Sequence, residues 1–116
     1  MSKFDSNKTF KLEKELQKYC IDYVKHLTKK GLPIMVVNVP AGPYGKRGIS
    51  DLLLCIDGAF VAVELKNGDT NHPVSPSQQR FIDNVKEAGG TAEVIRSFGD
   101  FQMLVNNMLS QYWENV

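Results

Sequence analysis

Cysteine is scarce in this chain. Cys20 and Cys55 are the only two among 116 residues, and no C-x-x-C spacing occurs, which excludes a zinc ribbon or a disulfide scaffold. Both sit in apolar patterns, one helical and one strand-like, and read as buried free thiols. Long apolar runs are also absent, so no membrane span is expected. No leader pattern opens the chain, and a cytoplasmic protein is the default expectation. There are no internal repeats, linkers or low-complexity segments, and the G-x-x-x-x-G-K-[ST] phosphate loop is missing. His72 has no second histidine or cysteine at ligand spacing and reads as an exposed loop residue.

What remains has the make-up of one ordinary globular domain, 42% hydrophobic and 23% charged. A net charge of +1 conceals an asymmetry. Residues 1–47 hold ten Lys and Arg against four Asp and Glu, whereas the remainder holds four against nine. A basic half beside an acidic half suits a protein that must attract phosphates and also hold cations.

Residues 1–8 are polar and expected to be frayed or loosely attached. A helix is predicted from about Thr9 to Lys30, ended by Gly31 and Pro33. Its core stripe comprises Leu12, Leu16, Tyr19, Cys20, Tyr23, Val24 and Leu27. Lys11, Lys14, Lys18, Lys25 and Lys29 fall within about 60° of one another at 100° per residue, a face that serves solubility or contacts DNA. Ile34–Val39 is rich in β-branched residues and predicts the first strand. The following loop is rich in glycine and proline. Its Tyr44, Lys46 and Arg47 are candidates for stacking on and clamping a nucleic acid. Ser75-Pro76-Ser77-Gln78 is a capping box that opens a helix ended by Gly89-Gly90. Thr91–Ser97 predicts the last strand and Phe98 to about Glu114 a closing helix, with Tyr112 and Trp113 near its end.

The most informative stretch runs from Gly48 to Lys66. Two apolar runs flank Asp57-Gly58, a strong signal for a two-residue hairpin. If that turn forms, Ile56 faces Ala59, Cys55 faces Phe60, and counting outward sets Asp51 opposite Glu64. Directly opposed Cβ atoms lie roughly 4.5–5.5 Å apart on one face, and Lys66 emerges on that face too. Two carboxylates so placed repel. Lys66 alone, as a salt bridge, is the plainer remedy. The convergence of all three groups at the end of an apolar hairpin favours a Mg²⁺ or Mn²⁺ site instead.

At these residues the chain resembles a known group. Asp51 followed by Glu64-Leu65-Lys66 is similar to the Asp…Glu-x-Lys signature of the PD-(D/E)XK nuclease superfamily. Glu13 with Gln17, Asn38 before a glycine-rich loop, Gly48, and the Ser-Pro-x-Gln helix start resemble its VRR-Nuc family. The superfamily's proline before the aspartate is Ser50 here. The resemblance implies an α/β fold with a restriction-endonuclease-like αβββαβ core, a mixed central sheet flanked by helices, plus a C-terminal helix. It implies a DNA endonuclease in which Asp51, Glu64 and the Leu65 backbone carbonyl hold Mg²⁺ or Mn²⁺. Lys66 would position the attacking water. Glu13 and Gln78 would complete the site, with Glu15 and Gln79 as the neighbouring candidates. Lys14 and Lys18, from the lysine face of the first helix, are further candidates for DNA contact. Stand-alone members of this kind, found in phages and bacteria, are expected to act as homodimers on four-way junctions, in the host cytoplasm if phage-encoded. The alternatives are a monomeric flap, single-strand or nicking nuclease, and a non-cleaving DNA-binding module.

Overall fold

A computed structural model describes residues 3–40, 48–68 and 73–113. The elements, in chain order, are α1 (Glu13–Lys29), β1 (Ile34–Asn38), β2 (Leu52–Ile56), β3 (Ala59–Leu65), α2 (Pro76–Glu87), β4 (Thr91–Ile95), α3 (Phe98–Met108) and α4 (Ser110–Trp113). The sheet order is β1-β2-β3-β4. The first three strands pair antiparallel, and β4 joins β3 in parallel through the α2 crossover, as parallel neighbours require. The expected mixed sheet with flanking helices is therefore present.

The hairpin forms as the turn chemistry dictates. Asp57 and Gly58 have φ of 52° and 86°, the positive values that a two-residue turn between twisted strands needs. Ile56 pairs with Ala59 and Cys55 with Phe60. Alternation along the strands then sorts the side chains into two layers. Leu52, Leu54, Ile56, Val61, Val63 and Leu65 face α1 and α3, which contribute Leu16, Val24, Phe98 and Phe101 to the larger core. On the other face Ala62 and Ala92 pack beneath Ile82 and Val85 of α2. Among the described residues no helix covers the β1–β2 half of that second face, where Met35 and Val37 are exposed.

That bare half explains one departure from expectation. Cys20 is buried, whereas Cys55 is exposed, because its strand position points to the uncovered side. The helix start differs as well. Leu12 is the N-cap of α1 rather than part of its core stripe, and is 56% exposed. Leu12 itself is extended, with φ −116° and ψ 142°, and just before it the Phe10 carbonyl accepts a hydrogen bond from Asn67 Nδ2 at 2.7 Å. The closing helix is broken at Leu109. Past the break, Gln111 Nε2 and Tyr112 OH each donate to the Asp57 carboxylate at 2.7 Å, so α4 fastens the hairpin tip. The last strand stops at Ile95, because Ser97 instead caps α3 by accepting from Asp100 N at 3.1 Å.

The N-terminal segment is not frayed over its described part. Phe4 is 8% exposed and sits edge-on to Tyr19 and Tyr23, with centroids 5.2 Å away in each case. Asp5 N donates to the Tyr19 hydroxyl at 2.9 Å, and the Ser6 hydroxyl donates to Gln102. The polar residues around it masked a single aromatic anchor. Phe4→Ala is expected to destabilise the protein by about 3 kcal/mol in urea unfolding. A loss below about 1 kcal/mol, the size of an ordinary surface substitution, would show the segment to be undocked.

Candidate active site

The β2–β3 ladder is described up to Leu52 opposite Val63, and the same register carried one pair further sets Asp51 opposite Glu64. Asp51 is fixed there by the backbone: its Oδ2 accepts from Leu65 N at 2.8 Å. A strand residue directs its N–H and C=O to the same side, so the Leu65 carbonyl faces Asp51 also. The next amide, Lys66 N, turns the other way and donates to Ile95 O at 3.0 Å.

Glu64 is 3% exposed. Its Oε1 accepts from Gln78 Nε2 at 2.9 Å and lies 3.7 Å from Lys66 Nζ. Its Oε2 is buried with no hydrogen-bond partner. Burial, then the negative charge of Asp51 and the hydrogen bond that a protonated Glu64 makes to it, push Glu64 up to about 8, and Lys66 draws it back only in part. An orphaned buried acceptor is costly, so the group is offset either by a proton or by a cation.

Gln78 reaches Glu64 because of how α2 begins. Ser75 accepts from Gln78 N, and Gln78 Oε1 accepts from Ser75 N at 2.9 Å. The capping box therefore uses one end of the Gln78 amide and leaves the other aimed at Glu64. The start of α2 is also held close to the segment that leads into β2 and carries Asp51. A Cβ at Gly48 (φ +85°) would lie 2.6 Å from the Ser77 carbonyl oxygen, so only glycine permits this approach. Gln79, the neighbouring candidate, bonds to Asp83 instead.

Glu13 enters from α1, where its Oε1 accepts from Asn67 N at 3.2 Å and its charge reaches Glu64. Glu15 is occupied elsewhere, accepting from Leu12 N at 2.9 Å within the helix cap. Asn67, which no sequence motif singles out, clamps the start of α1 to the end of β3 through both its backbone and its side chain. Its place directly after Glu-Leu-Lys was the available signal. Gln17 donates to Asn38, joining α1 to the end of β1. Lys14 and Lys18 are exposed on α1, and Lys18 pairs with Asp22 at 2.8 Å. Tyr44, Lys46, Arg47 and His72 lie outside the described residues.

The donor set fits a hard divalent cation. Among the described residues no group of three or more His, Cys, Asp or Glu converges to hold a metal. Asp51, Glu64 and the Leu65 carbonyl make a smaller donor set, which would suit an ion that binds through one or two carboxylates and keeps several waters.

A sequence model for the VRR-NUC domain matches residues 42–99, half of the 116-residue chain. A solved chain described as a VRR_NUC domain is 25% identical with a TM-score of 0.60, covering 81% of this chain and 94% of its own length. A second, described as a VRR_NUC domain protein, has a TM-score of 0.64 at 21% identity, covering 87% and 92%. Among curated proteins no match is found.

The raised Glu64 has a consequence for stability. Between its ordinary value of 4.5 and about 8, the folded protein holds the extra proton, so stability declines as pH rises through that window. Thermal melts in a chelating buffer at pH 5 to 8 should show this fall in the wild type and a flatter profile in Glu64→Gln. Parallel profiles for the two proteins would place the carboxylate in an ordinary environment.

Proposed function

The chain belongs to the VRR-NUC domain family, whose fold is that of the PD-(D/E)XK nucleases, and from that premise we propose a Mg²⁺- or Mn²⁺-dependent DNA endonuclease. It hydrolyses phosphodiesters in branched DNA such as four-way junctions, acting as a homodimer. The observation that carries the chemistry is Glu64, buried opposite Asp51 with one oxygen lacking a donor.

Asp51, Glu64 and the Leu65 carbonyl would hold the cation, which supplies Lewis-acid polarisation of the phosphate and acidifies water. The chain's own residues do the rest. Leu65 N keeps the Asp51 carboxylate in place, and Gln78 fixes the rotamer of Glu64. Lys66, 15% exposed, presents its ammonium at the mouth of the site. There it orients the attacking water and faces the negative charge that grows on the phosphoryl oxygens. As the water oxygen bonds to phosphorus, the ester P–O bond breaks, and the water's proton balances the departing alkoxide. Glu13 supports the outer side of the site.

The homodimer is supported by size and by surface. Two sites related by a two-fold axis make paired cuts in opposing strands of a junction, which a chain this small does not do alone. Met35, Val37 and Phe60, exposed by 54%, 49% and 46%, give the uncovered sheet face apolar surface for a second copy. Tyr112 and Trp113 are engaged within the chain, with Asp57 and the Asn106 carbonyl. No described helix is long and apolar enough to cross a membrane.

Labelled four-way junction, flap and linear duplex, each incubated with and without Mg²⁺, test the reading. Asp51→Asn is expected to abolish cutting while the fold survives. Lys66→Ala should lower turnover by about 10²–10³-fold and DNA affinity by less than about tenfold. Unchanged cleavage in Asp51→Asn would sink the assignment. Light scattering decides the assembly, and a monomer that only nicks would establish the monomeric alternative.

A further inference from the structure

The docked N-terminal segment does more than cover the core. Against α1 it builds two clefts, of about 500 and 390 Å³, that share Tyr19 and Asp22 and so run into one another. Lys8, Lys11 and Lys18 line the first; Lys3, Lys25 and Lys29 line the second. The acidic residues on this surface are engaged, Glu15 by the helix cap and Asp22 by Lys18. Among the described residues Lys3, Lys8, Lys11, Lys25 and Lys29 form no ion pair. His26 at the far end is held below its ordinary value by desolvation and by the charges of Lys30, Lys3 and Lys29, in keeping with a positive field there.

The groove starts at the candidate site. Phe10, on its first wall, is bonded through its carbonyl to Asn67, the residue after Lys66. From there it follows α1, whose 17 residues span about 25 Å, roughly seven base pairs at 3.4 Å each. The aromatic rings beneath it are already engaged. Lys3 stands 5.6 Å over Phe4, and Lys8 stands 5.8 and 5.9 Å over Phe10 and Tyr19, within cation–π range. The rings act as pedestals for the lysines, so the surface offers charge to a phosphate backbone rather than faces for unstacked bases.

We propose that this groove is a second DNA-contact surface, which carries the phosphate backbone of the duplex arm leaving the active site. The inference rests on the nuclease reading and adds to it where one arm of the substrate goes. It makes affinity depend on arm length, because contacts along α1 count only when the arm reaches them.

Lys25→Gln/Lys29→Gln tests it at the far end, where both residues are exposed and away from the carboxylates. Binding to a fluorescent four-way junction is read without divalent cation across a salt series, with arms of about 15 or about five base pairs, longer and shorter than the groove. On long arms the double variant should lose about tenfold or more in affinity at roughly 0.1 M salt, and the salt slope should fall by about two. On short arms wild type and variant should bind alike. Equal affinity and slope on long arms, in a preparation whose wild type still cuts, would overturn the groove and leave the nuclease reading intact. An equal loss on both arm lengths would overturn it as well. A wild type that binds neither DNA would overturn both readings.

Discussion

The site depends on one unfavourable juxtaposition: a carboxylate buried in the sheet, directly across from another. Glu64 has exchanged solvent for a single neutral donor, Gln78, and a lysine at 3.7 Å, and this leaves Oε2 without a partner. Such an arrangement lowers the stability of the metal-free fold and persists only where its surroundings over-determine it. Those surroundings can be named. The Asp57-Gly58 turn sets the register, the Leu65 amide holds Asp51, and the Ser75 cap aims Gln78. Gly48 lets the start of α2 come close enough for all of this to meet.

The hairpin and the pairing of Asp51 with Glu64 were legible because a two-residue turn leaves no freedom in register. Gln78 was legible because its capping box is local, within four residues of chain. What was not legible depends on long-range contacts. Phe4 lies among polar neighbours, and rings far along the chain, Tyr19, Tyr23, His26 and Phe98, give it a place. Asn67 reaches back across 57 positions to Phe10, which no local pattern records. The exposure of Cys55 follows from α2 covering only the β3–β4 half of its face, a matter of crossover geometry rather than of the strand's own residues. Helical spacing sets Glu13 on the flank of the apolar stripe and Glu15 nearer the lysine side. The choice between them was open in sequence because the first turn of the helix was not fixed. The start of the helix at Glu13 settled where each one points.

The charge asymmetry of the chain acquires a spatial meaning from the same contacts. The basic half supplies α1 and the segment docked on it, and the acidic half supplies the hairpin. Asn67 is the joint, bonding to Glu13 and Phe10 on one side and following Lys66 on the other. In the proposed reading, a phosphate chain drawn along the lysines would be delivered to the carboxylates, and a cation between them would remove the repulsion that otherwise turns it away.

The central claim is that a divalent cation relieves the Asp51–Glu64 pair, and Mn²⁺ titration calorimetry near pH 7 in buffers of differing ionisation enthalpy tests it most directly. Because Glu64 is pushed up to about 8 without metal, binding should release a proton, making the measured enthalpy depend on the buffer. Glu64→Gln should lose both the proton release and most of the affinity. Binding that is indifferent to buffer and unchanged in Glu64→Gln, or no binding at all, would contradict the account.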